Sequence, residues 1–90
     1  MKTFTLYTDP GHGWLAVSIE DIYAVGLAPE NFSEYSYRNL GFLFLEHDCD
    51  AEIFMREWRD SYGEPEIKHV YQENTPIRRY ARLTPATAVL

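Results

Sequence analysis

The sequence predicts an α+β fold: one small domain in which an antiparallel or mixed sheet carries two helices on one face. Three observations predict it. Residues 3–8 and 66–72 alternate apolar and polar side chains with the period of half-buried strands. Ala51, Phe54, Met55, Trp58 and Tyr62 recur at the i, i+3, i+4, i+7 spacing of a helix with one buried stripe. With 90 residues, 46% of them hydrophobic and 16% aromatic, the chain can enclose a single core.

The first strand places Phe4 and Leu6 on one face and Thr3, Thr5 and Tyr7 on the other. Asp9-Pro10-Gly11-His12-Gly13 is rich in turn residues, and Trp14 to Val17 resumes as the second strand of a hairpin. Ser18 is the expected N-cap of a helix over about Ile19 to Val25, with Asp21 as a short capping-box partner and Gly26 at the C′ position. A loop marked by Pro29 and Asn31 leads to a strand over Glu34 to Arg38 that sets Tyr35 and Tyr37 on one face. After the turn Asn39-Leu40-Gly41, the run Phe42-Leu43-Phe44-Leu45 is apolar on both faces, which predicts a central strand covered on each side. Asp48 or Asp50 is the expected cap of the second helix, which runs to about Tyr62 and is ended by Gly63-Glu64-Pro65.

The fifth strand alternates Ile67, His69 and Tyr71 against Lys68, Val70 and Gln72, and residues 77–83 are expected as a short edge strand or ordered arm. The order is β-β-α-β-β-α-β, with residues 1–83 as the domain and 84–90 as a frayed tail. Both halves follow one plan, a hairpin that feeds an acid-capped helix, without residue identity between them.

Charge is uneven. From Glu46 to Glu66 there are eight acidic residues against Arg56 and Arg59, which matches the formal charge of −6 of the whole chain. Such acidity argues against direct nucleic-acid binding, which needs clustered Lys and Arg to release counterions; basic protein surfaces are the complementary partners. The single cysteine, Cys49, rules out an intramolecular disulfide and is expected as a small buried residue of a reducing compartment, so the chain reads as cytoplasmic. The alternating N-terminus lacks the apolar run of a signal peptide, and no segment has the length of a membrane span.

Several groups of residues merit chemical attention. His12 lies between two glycines at a hairpin tip, where an imidazole is accessible as a base or ligand, but no serine, cysteine or second histidine is held beside it by sequence. In Glu46-His47-Asp48-Cys49-Asp50 the residue types suit a metal, whereas alternation along a strand separates them, and helix capping accounts for the acids without one. Arg56 and Arg59 are expected to pair with Glu52, Asp60 or neighbouring acids. Arg78-Arg79-Tyr80-Ala81-Arg82 interleaves basic and aromatic residues as single-strand binders do, and equally suits pairing with the chain's own acidic helix or a partner's carboxylates. No catalytic residue, metal or cofactor is predicted.

His12-Gly13-Trp14-Leu15, Ser36-Tyr37, Leu45-Glu46 with Asp48-Cys49-Asp50, and Pro76-Ile77-Arg78 with Tyr80 resemble a family of short phage-, prophage- and plasmid-encoded proteins. Such small acidic proteins are similar in character to anti-CRISPR and other anti-defence proteins, which bind host machinery and block nucleic-acid access. The resemblance implies an inhibitor in the cytoplasm of a host bacterial cell, acting as a monomer or homodimer on a protein complex with a basic nucleic-acid-binding surface. The residues expected to meet that partner are Asp48, Asp50, Glu52, Glu57, Asp60, Glu64 and Glu66, flanked by Trp14, Tyr35 and Tyr37 as aromatic hot spots. Two other classes compete with it: a small metal-dependent enzyme using His12 with Asp48 and Asp50, and a homodimeric structural or virion accessory protein.

Overall fold

A computed structural model describes residues 2–83; the tail expected at 84–90 lies outside the described residues. The strands are β1 (Thr3–Thr8), β2 (Gly13–Ser18), β3 (Tyr37–Asn39), β4 (Phe42–Glu46), β5 (Glu66–Tyr71) and β6 (Ala81–Arg82). Helix α1 (Ile19–Ala24) follows β2 and helix α2 (Asp50–Tyr62) follows β4, while Pro29–Asn31 and Pro76–Arg79 form 3-10 turns.

The six strands make one sheet in the order β5-β1-β2-β4-β3-β6. Only β1 and β5 are parallel neighbours; the other pairs are antiparallel, so the sheet is mixed. The chain makes two parallel crossovers, β2-α1-β3 and β4-α2-β5. Because β2 and β4 are antiparallel and the crossovers travel in opposite directions across the sheet, a shared hand puts both helices on the same face. The two β-β-α halves are thus related about an axis between β2 and β4, which gives the repeated plan of the sequence a spatial meaning.

Alternation sorts the sheet residues. Phe4, Leu6, Leu15, Val17, Leu43 and Leu45 face the helices and meet Ile22 of α1 and Ala51, Phe54, Met55 and Trp58 of α2. The ring of Phe4 packs edge-on against Phe54 at 5.3 Å and against Trp58 at 5.1 Å. Phe54 is fully enclosed, and truncating such a residue to alanine costs about 3–5 kcal/mol. On the opposite face Trp14, Tyr37 and Ile77 form a second buried cluster, with Tyr7, Phe44 and Tyr80 packed against it. The 76–80 segment is therefore a partial lid over the second face. It covers Phe44, whose ring lies 5.1 Å from that of Tyr80, but leaves Phe42 45% exposed. The two-sided cover expected for β4 holds for three of its four apolar residues.

Local signals fare unevenly. Ser18 caps α1 by accepting from the Asp21 N–H at 3.2 Å, but the Asp21 carboxylate pairs with Lys2 Nζ at 2.9 Å instead of closing a capping box. Gly26 and Gly63 end the two helices with φ of 81° and 87°, a region that side chains disfavour. At the N-terminus of α2 neither aspartate caps: Cys49 holds the cap position without a side-chain hydrogen bond. Tyr35 falls in a turn before β3, because the strand starts only at Tyr37, where pairing with Phe44 begins. Residues 77–79 belong to a 3-10 turn, and the expected edge strand is only Ala81–Arg82.

Candidate functional site

The largest chemical concentration lies where the β1–β2 turn meets the 76–82 segment. Asp9 is buried, and its carboxylate accepts from the backbone N–H of Gly11 at 2.9 Å and of His12 at 2.8 Å. These bonds close the turn in the manner of an Asx motif. The same carboxylate receives a forked contact from Arg78, with Nε at 2.7 Å from Oδ2 and Nη2 at 3.1 Å from Oδ1. The Arg78 hydrogen bond, aided by the two backbone donors and opposed by burial, holds the Asp9 carboxyl far below the usual carboxylate range. The Asp9 bond correspondingly raises the Arg78 guanidinium above its ordinary value.

Arg78 also positions an imidazole. Its Nη2 lies 2.8 Å from His12 Nδ1, and since arginine only donates, Nδ1 is the acceptor of this contact. His12 stacks on Trp14 at 5.9 Å, and the Arg78 guanidinium carbon lies 5.3 Å from the same indole. A second arginine is held in a similar way: Arg82 stands 4.9 Å over the Tyr37 ring and donates from Nη1 to the Glu34 carbonyl at 3.0 Å. Between these groups opens a cleft of about 470 Å³, bordered further by Tyr35, Glu46 and Cys49.

Beneath the cleft the Asp50 carboxylate is 1% exposed and gathers three donors on Oδ2: the Ser33 N–H and hydroxyl, at 2.9 and 2.7 Å, and the Ser36 hydroxyl. Ser36 Oγ in turn accepts from the Glu46 N–H at 2.9 Å. One side chain thereby ties the 33–36 loop, the end of β4 and the start of α2 together, which fixes the cleft wall that carries Tyr35 and Glu46.

The predicted contact residues separate into distinct neighbourhoods. Asp50 is internal and contributes nothing to an acidic surface, because its charge is spent on Ser33 and Ser36. Trp14 and Tyr37 are 2% and 6% exposed, buried under the 76–80 segment, so their ring faces are occupied by the chain's own arginines. Tyr35 is 60% exposed at the cleft. Glu52 and Glu64 both approach Arg59, at 2.8 and 3.9 Å, and Asp48 approaches His47 at 3.5 Å. Asp60 lies exposed on α2 and Glu57 half-buried at its flank, both without an ion pair among the described residues. Glu66 belongs to β5, where it accepts a long bond from the Thr3 hydroxyl at 3.4 Å.

Other readings are redrawn as well. Cys49 is exposed, since it caps α2 at the cleft rim instead of entering the core. The grouping of His12 with Asp48 and Asp50 is not assembled: the three side chains are engaged with Arg78, His47 and two serines respectively. Among the described residues no three His, Cys, Asp or Glu side chains converge as a metal site. Arg78 pairs with a turn aspartate 69 residues away, not with the acidic helix. Both partners stand in motifs visible in the sequence, but no local spacing connects them. Among the described residues no helix is long and apolar enough to cross a membrane. Comparisons of the chain with protein-family models, with curated proteins and with solved structures found no match.

Proposed function

We propose that this protein is a stoichiometric inhibitor encoded by a phage or other mobile element, of the anti-CRISPR kind, which binds a bacterial defence complex through the outer face of α2. The observation that carries this reading is the pair Asp60, exposed on α2, and Glu57, half-buried at its flank, which make no ion pair among the described residues. Glu52 and Glu64 flank them and share Arg59, and Arg56 is exposed on the same helix without an ion pair among the described residues, so four acids against two arginines keep a negative excess. Helices anchored by a buried stripe hold such charges in fixed register, and a basic groove that normally receives nucleic acid is their electrostatic complement.

Affinity capture from a host lysate tests the reading, with the double variant Glu57→Lys, Asp60→Lys as control. A defence-complex subunit that is captured by the natural chain, lost with the double variant and weakened by salt supports it. Capture indifferent to the reversal and to salt removes the acidic face from the proposal.

A homodimer is the second reading, favoured by one observation. Strand β5 pairs only with β1 and leaves the hydrogen-bonding groups of its outer edge without a strand partner among the described residues. Solution mass by light scattering decides it, and a monomer at all concentrations rejects it.

A further inference from the structure

The cleft at Arg78 and Arg82 lies away from Glu57 and Asp60, and its charges pose a separate question. Arg78 is compensated by Asp9, but Arg82 has no carboxylate partner among the described residues. The Glu46 carboxylate on the same cleft likewise lacks a cation. Two opposite charges therefore border one cavity and are held apart.

The sheet sets their separation. Phe44, Tyr37 and Arg82 are cross-strand neighbours in a line, and Glu46 lies two residues further along β4. Two strand spacings and two residue rises place the Glu46 and Arg82 backbones about 12 Å apart, before the side chains reach inward. A ligand that answers both charges presents an anion to Arg82 and hydrogen-bond donors to Glu46. A bare divalent cation does not suit a cleft with two guanidiniums. A polyanionic strand is opposed by Glu46 and by the chain's formal charge of −6.

We propose that the cleft is a mononucleotide site, in which Arg82 takes the phosphate, Glu46 accepts from the N–H edge of the base, and Tyr35 stacks on the base. Each assignment follows from what the group has left to offer. Arg82 is oriented by Tyr37 and the Glu34 carbonyl, yet only its Nη1 is engaged, so Nε and Nη2 still present donors. Glu46 is fixed through its own N–H by Ser36, which leaves the carboxylate for a partner. Tyr35 is the exposed ring of the cleft, whereas Trp14 and Tyr37 are already covered. The Nη1 of Arg78, which makes no bond to Asp9 or His12, remains for a second phosphate oxygen. A volume of about 470 Å³ is of the order of small-ligand pockets.

Guanosine monophosphate is the probe of choice, because guanine offers two adjacent N–H donors to one carboxylate. Binding is read by calorimetry and by the rate at which iodoacetamide alkylates Cys49, the single thiol, at the cleft rim. Saturable binding that slows alkylation is expected. Arg82→Gln should weaken the nucleotide about tenfold while leaving guanosine unchanged, and Glu46→Gln should weaken both ligands by a similar factor. Tyr35→Ala, at an exposed position, should do the same without disturbing the fold, and circular dichroism verifies each variant. Glu57→Lys with Asp60→Lys should bind as the natural chain does, which separates this site from the α2 face. The proposal is overturned by absence of saturable binding at millimolar nucleotide. It is equally overturned if inorganic phosphate alone protects Cys49 as well, or if the Arg82, Glu46 and Tyr35 variants all bind unchanged.

Discussion

The turn at Asp9 and the outer face of α2 both carry charge, but they use it in opposite ways. Asp9 is enclosed, gathers two backbone N–H groups and a forked arginine, and so spends its charge on the protein's own geometry. Among the described residues Glu57 and Asp60 make no such bonds, and Asp60 is exposed while Glu57 is half-buried. Density of acidic residues in the sequence is thus a poor guide to where charge is available. The block from Glu46 to Glu66 contains one residue, Asp50, that is as internal as any core side chain, and others already matched by Arg59.

Substitutions can break this contrast, and the largest effect is expected at Asp50. Asp50→Ala leaves the donors of Ser33 and Ser36 without an acceptor beneath the cleft, and a loss of about 3 kcal/mol in urea-unfolding stability is expected. A loss below about 1 kcal/mol would show that the network is dispensable. Asp9→Asn comes next. It removes the charge-assisted fork to Arg78 and should cost about 1.5 kcal/mol at neutral pH.

That variant also carries a pH signature. The Asp9 carboxyl is held lower in the folded state than in the unfolded chain, so its stabilisation is present above the unfolded value. It is lost as pH falls below about 4, where the unfolded chain takes up the proton first. The natural chain should lose stability more steeply than Asp9→Asn between pH 4 and pH 2 on the thermal melting scale, both being about limits set by the carboxylate range. Parallel profiles would show that the turn does not depend on this ion.

The α2 face should behave otherwise. Glu57→Lys with Asp60→Lys should change stability by less than about 0.5 kcal/mol while abolishing partner capture, since neither side chain makes a hydrogen bond or ion pair among the described residues. The smallest effect is expected in the β3–β4 turn, where Leu40 has φ of 50° and is 90% exposed. Leu40→Gly relieves the left-handed strain and gives up little packing, so a gain of up to about 0.5 kcal/mol is expected on thermal unfolding.

Legibility followed the range of the interaction. The α2 stripe, the β1 alternation and the glycines that end both helices were readable because each depends on neighbours within a turn or a strand. The α2 cap is not legible locally, because an aspartate before a helix serves equally well as a cap or as an anchor for a distant loop. Only the approach of Ser33 and Ser36 decides between them. Trp14 and Tyr37 were misplaced for a similar reason: alternation puts them on the second face of the sheet, but nothing local states that residues 76–80 return to cover that face.

By itself the sequence determined the α+β class, the two helices on one face of an antiparallel or mixed sheet, the buried stripe and the concentration of acids around α2. These follow from periodicity and composition, which act along the chain. Tertiary structure alone decided which charges are spent and which are offered. The Asp9–Arg78 fork closes 69 residues, and the cleft exists because β6 adds beside β3 and carries Arg82 over Tyr37. The physical reason is that ion pairs and cavities depend on separations in space, which chain order leaves open until the sheet is assembled.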